Sequence, residues 1–175
     1  MTDRKFPIGP FVPQESYSKE ELGKLIQDIA LAPLEYKKRL EGISESDLAK
    51  TYRTGSFTVR QLVHHVADIH LLHYFRMKQA LTNLDYKEVT LINMDGWAAT
   101  PDGIDAAIED SLDIFESIGK RYVYLINSLT DEQFEIAYFH PLRKIWLTQK
   151  HAIAMSAWHV KHHLAHVDLA LSDIA

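Results

Sequence analysis

Residues 148–171, TQKHAIAMSAWHVKHHLAHVDLAL, decide how this chain folds. Thr148 can serve as an N-cap, and apolar side chains then recur at helical spacing almost to the carboxyl end. At about 100° per residue, Ile153, Ala157, Val160, Leu164, Val167 and Leu171 share one stripe, which predicts a long helix packed on a core. Measured from the middle of that stripe, His163 lies about 70° away and His159 about 110° away on the same side. His166 and His162 lie about 130° and 170° away and are expected to point outward. His159 and His163, at i and i+4, stack on one face about 6 Å apart at Cβ, a separation that lets two imidazoles reach one ion.

Working outward, three more long helices appear. Ser18-Lys-Glu-Glu21 has the form of a capping box and opens a helix to about Leu40, closed by Gly42. Pro33 falls inside it and is expected to kink or break it. Thr58-Val-Arg-Gln61 is a second box, followed by an amphipathic run to about Leu81. Thr100-Pro101 supplies a cap with proline at the first helical position, and the apolar spacing continues to about Ser128. Two connectors, GISESDL at 42–48 and SLTDEQF at 128–134, resemble each other, so that helix, short turn and histidine-bearing helix form a weak twofold repeat. In EIAYFHPLRKIWL, aromatic and β-branched residues flank Pro141, which predicts a small hairpin. Residues 83–99 form a long connection. The expected fold is all-α: a four-helix bundle with one long crossover and small irregular or hairpin insertions.

Composition bounds the function. The 175 residues suit a single domain spanning 1–175, and an apolar content of 46% can fill its core. Lys plus Arg number 19 against 24 Asp plus Glu, with no basic block, which argues against nucleic acid or anionic membrane as partner. The amino-terminal residues lack a signal-peptide core and no apolar stretch is long enough to span a bilayer, so a soluble, cytoplasmic protein is expected. Zero cysteines exclude disulfides, Cys-ligated zinc, iron-sulfur clusters and a Cys nucleophile. Any metal must sit on nitrogen or oxygen.

All ten histidines lie within 64–73 or 140–166. On the second helix, Val59, Leu62, Val63, Val66, Met77 and Ala80 set the core face; His64 points away from it, His65 sits on its flank, and His70 and His73 fall inside it. His65, His70 and His73 all remain candidates, the last two equally readable as core or interhelical histidines. His65 flanks its helix on the side on which His159 and His163 flank theirs. Three neutral imidazoles meeting there would form a facial nitrogen set with open positions, the pattern of a catalytic Zn(II) or Ni(II) site. Asp68, one turn after His65, could accept a hydrogen bond from a ligand imidazole and orient it. Glu-x-x-His pairs, HExxH, G-x-S-x-G and C-x-x-C-H are all absent, which argues against di-iron, zincin, serine-hydrolase and c-type haem chemistry.

PIGPF, FTVRQLVHHVADIH, the isolated Trp97 in MDGW, SLTDEQF, FHP at 139–141 and AWHVKHHLAH occur in an order that resembles the YfiT-like branch of the DinB-like superfamily, over nearly the full length. The resemblance implies a four-helix bundle, a three-histidine divalent-metal site and a metal-dependent hydrolase activity, with thiol S-transferases among the relatives and a homodimer as the family's habit. Carried over by position, the implied ligands are His65, His159 and His163, and His70 matches a histidine the family keeps without using as a ligand. MDGWAAT departs from the longer acidic stretch more usual there, so the substrate rim is expected to differ. The expected chemistry is activation of water, or of a low-molecular-weight thiol cosubstrate, by the ion against a small-molecule substrate. The rival reading is a non-catalytic metal-binding or stress-response bundle. Trp97, Tyr138, Phe139 and Trp146 lie in connectors, where they cap the core or cover a site.

Overall fold

A computed structural model describes residues 3–172. Four long helices dominate: α1 (Lys19–Arg39), α3 (Val59–Thr82), α6 (Ile108–Asn127) and α8 (Gln149–Leu171). Short helices α2 (Glu45–Leu48), α4 (Met94–Ala98), α5 (Pro101–Asp105) and α7 (Asp131–Phe134) punctuate the connections, and strands β1 (Ala137–His140) and β2 (Ile145–Thr148) precede α8.

Both predicted capping boxes form. Ser18 and Glu21 exchange side-chain and backbone hydrogen bonds, as do Thr58 and Gln61. Thr148 caps α8 in the same reciprocal way, with His151 in the place that Glu or Gln usually fills: Thr148 N donates to His151 Nδ1 at 3.2 Å. Helix α1 is not broken at Pro33; it continues through the proline, whose buried ring packs near Gly119 of α6. Tertiary packing there outweighs one lost i→i−4 bond.

The helix expected from Pro101 to Ser128 is two helices. Ala106 and Ala107 are extended, and the Ala106 carbonyl, released from any helical ladder, accepts from an Arg60 guanidinium nitrogen at 2.6 Å and lies 3.2 Å from His64 Nε2. Residues of α3 therefore hold the break open. Thr100 makes no side-chain cap bond; its hydroxyl donates to Trp97 O at 2.6 Å.

Side-chain pairings give the helix directions. Lys161 pairs with Asp28 and Arg39 with Asp168, so α1 and α8 run parallel. Tyr36 meets Phe115 and Lys37 meets Glu116, while Pro33 lies near Gly119, which sets α1 antiparallel to α6. His64 bonds Ser111 and Tyr74 meets Tyr122, so α3 and α6 are parallel. His65 faces His163 and His73 bonds Ser156, so α3 and α8 are antiparallel. Around the bundle the order is α1, α6, α3, α8, because α1 and α3 each pack on both α6 and α8. Parallel neighbours α3 and α6 need a long return, which residues 83–107 provide, a longer connection than the expected 83–99 because α6 starts only at Ile108.

Two apolar layers fill the interior. Tyr36, Leu62, Val66, Phe115, Val160 and Val167 form one end, and Ile29, Met77, Tyr122, Ile126 and Ile153 the other. The hairpin forms as expected, pairing Ala137 with Thr148 and His140 with Ile145, and Lys144 takes the positive φ (54°) in its turn. Buried Tyr138 and Leu147 seat it against Ala80 and Met155. Among the described residues, no helix is long and apolar enough to cross a membrane.

Candidate metal centre

Antiparallel packing of α3 on α8 brings His65 against His159 and His163. His65 Nε2 lies 3.2 Å from His159 Nε2, and the His163 ring is 4.7 Å from the His65 ring and 4.5 Å from the His159 ring, centre to centre. One nitrogen from each of the three falls within 4.8 Å of the others. In a tetrahedral site with metal–nitrogen bonds of about 2.0–2.1 Å, ligand nitrogens stand roughly 3.3 Å apart, so the observed edge suits one shared ion. Burial holds the His65 pKa down to about 4 and those of His159 and His163 well below the ordinary 6.5, with neighbouring imidazoles adding to the effect. All three are therefore neutral at pH 7, with lone pairs available. The set opens on a cavity of about 380 Å³.

His162 and His166 do not point outward; they are 6% and 1% exposed. The amino-terminal segment lies along α8 and covers them: Phe6 packs on His162, Lys5 O sits 3.3 Å from His166 Nε2, and Trp158 Nε1 donates to Gly9 O at 3.1 Å. Trp158 stacks on His162 at 4.3 Å and Tyr52 on His166 at 3.8 Å. Helical phase could not reveal this, because the cover comes from residues about 150 positions away. His64, also read as pointing away, is buried between α3 and α6 with Nδ1 2.7 Å from Ser111 Oγ.

His162, His163 and His166 form a second group close enough for an ion. Their hydrogen bonding points elsewhere. A carbonyl only accepts, so His166 Nε2 carries the proton that faces Lys5 O, and its Nδ1 is left as an acceptor. That Nδ1 lies 3.3 Å from His163 Nδ1, which must then be the donor. With both rings neutral, His163 is thereby left with an unprotonated Nε2, a lone pair that an ion could take. Sequence reasoning placed His166 on the outer face, and the only trace of this contact in the chain is its place three residues after His163.

Asp68 is not brought to the imidazoles. It is half-buried and hydrogen-bonds to none of them, and burial together with nearby Asp102 raises its pKa. His70 and His73 take the interhelical role. His73 Nδ1 is 2.6 Å from the buried Ser156 Oγ, and His70 sits between Phe115 and Tyr122 with neither nitrogen bonded. Of the connector aromatics, Tyr138 is in the core, whereas Trp97 and Trp146 are exposed.

Known proteins resemble this chain over nearly its whole length. The family model described as the DinB superfamily matches residues 30–167. A Bacillus pumilus protein named "Putative metal-dependent hydrolase" is 38% identical over 167 residues, covering 95% of this chain and 94% of the relative. Bacillus subtilis "Putative metal-dependent hydrolase YfiT" is 36% identical over 162 residues, 93% and 90% of the two chains. The solved structure of the Bacillus subtilis protein, described as a probable metal-dependent hydrolase with an unusual four-helix bundle topology, superimposes with a TM-score of 0.90 at 35% identity over 94% of each chain.

Proposed function

The chain belongs to the DinB superfamily, and from that premise we propose that it is a divalent-metal-dependent hydrolase whose ion is held by His65, His159 and His163. The observation that carries the reading is the 3.2 Å approach of His65 Nε2 to His159 Nε2, with His163 beside them, on helices joined only through the fold. Three neutral nitrogen donors and no carboxylate suit Zn(II) or Ni(II), with geometry and supply choosing between them. A divalent ion there would lower the pKa of water, or of a thiol cosubstrate, towards neutrality. The protein's own part is to keep three imidazoles neutral, to fix the His163 tautomer through His166 and Lys5 O, and to shape a cavity beside them. A low-molecular-weight thiol as nucleophile would make the same centre an S-transferase; the absence of protein cysteine is consistent with sulfur arriving on the cosubstrate.

The test is His159→Ala. Metal content measured by elemental analysis should fall from about one ion per chain to near zero, and turnover on a panel of esters, amides and thiol–electrophile pairs should vanish. The helical circular dichroism signal should persist. A variant that keeps stoichiometric metal and full turnover would refute the assignment.

A further inference from the structure

A second cavity adjoins the imidazoles. It encloses about 280 Å³ between α3, the hairpin and the segment leading to α4, and its wall includes both His159 and Trp158, which also line the cavity over the three histidines. Apolar side chains such as Leu72, Ile92 and Met155 make up much of the lining, but Arg76 is set among them at 6% exposure. One guanidinium nitrogen donates to Thr90 O at 2.7 Å, and the buried Nε has no partner. Among the described residues, no Asp or Glu lines this cavity and no carboxylate pairs with Arg76. His140, in the FHP tripeptide that no role has yet claimed, also lines it, with a buried and unpartnered Nδ1.

A guanidinium keeps its proton under these conditions, and a charge withdrawn from water is normally paired. This chain has 24 acidic residues, and none of the described ones lines this cavity. The counter-charge is therefore expected from outside. A carboxylate matches the planar guanidinium fork, whereas a phosphate dianion would bring a larger, more strongly hydrated group into a mostly apolar space.

We propose that this cavity seats the carboxylate of a small, largely apolar substrate or cosubstrate, with Arg76 as its charge partner and His140 as a further hydrogen-bonding group. The rest of the ligand extends past His159 towards the three-histidine centre. Its catalytic meaning rests on the metal reading above; the binding itself does not.

Hexanoate, hexan-1-ol and inorganic phosphate are the probes, applied to the full chain loaded with zinc and again after chelation. Hexanoate should raise the melting temperature in both forms and shift the Arg76 Nε resonance saturably, binding about tenfold or more tightly than hexan-1-ol. Arg76→Met should lose the hexanoate response while keeping zinc, and His163→Ala, which lies outside this cavity's wall, should lose zinc while keeping hexanoate, so the two readings fail separately. Equal binding of the alcohol, preference for phosphate, binding only to the zinc-loaded form, or an unmoved Arg76 resonance would each overturn the proposal. Should Arg76→Met not fold, the Arg76 resonance of the unaltered chain decides alone.

Discussion

His163 shows how much one side chain can depend on its neighbours. Its Nδ1 is committed to His166 at 3.3 Å, and His166 is committed to the Lys5 carbonyl, so the ring presents Nε2 as a lone pair without any carboxylate in the chain of bonds. Removing an outer partner of this kind commonly weakens metal affinity by about 10–100-fold. His166→Ala should therefore bind zinc about 10–100-fold more weakly in competition with a chelator, and nitrogen-15 shifts of the metal-free protein should report His163 protonated on Nδ1 before the substitution and mixed tautomers after it. Unchanged affinity would show that His163 is oriented by packing alone. His70 is the contrasting case, more deeply buried but bonded to nothing, an imidazole held between two aromatic rings.

At the level of the elements, caps and breaks carry the precision of the site. Helix α8 delivers two of the three candidate ligands, and its first turn is tied by Thr148 and His151, with His151 Nε2 further placed 2.9 Å from Gln14 O. Thr148→Ala should cost about 1 kcal/mol of stability in urea unfolding, and zinc affinity should change by less than about threefold, because His159 lies three turns beyond the cap. A large loss of zinc affinity would mean that the cap also sets the register of the helix. The break between α5 and α6 follows the same logic in reverse: Arg60 and His64 take up the Ala106 carbonyl that a continuous helix would have kept.

For the molecule as a whole, buried neutral imidazoles set the response to acid. The pKa values of His65, His70 and His162 are lowered to about 4 by burial, against about 6.5 when unfolded. The unfolded chain therefore binds more protons between these values, so stability is complete above pH 6.5 and falls as the pH drops towards 4. Each such group contributes on the order of 3 kcal/mol to the loss, without strict additivity. Urea unfolding of the metal-free protein should show its steepest decline between pH 6.5 and 4, and a flat profile there would mean that these histidines are wetter than the packing indicates.

Three of the four long helices with their caps, and the hairpin, were legible because each is written locally, in capping pairs, turn residues and apolar period, whereas the break ahead of α6 was not. The pair His159 and His163 was legible for the same reason, since i and i+4 is a property of one helix. His65 was only one of three candidates on its own helix, and the resemblance rather than the residues separated it. The sequence by itself thus determined the elements and the spacing of the imidazoles along them. Only the tertiary structure decided which flank of α3 meets α8, that Phe6 and Lys5 cover His162 and His166, that Asp68 stands apart, and that no described acid meets Arg76. Helical phase reports a direction relative to one axis, whereas burial and pairing depend on what distant segments bring to that direction.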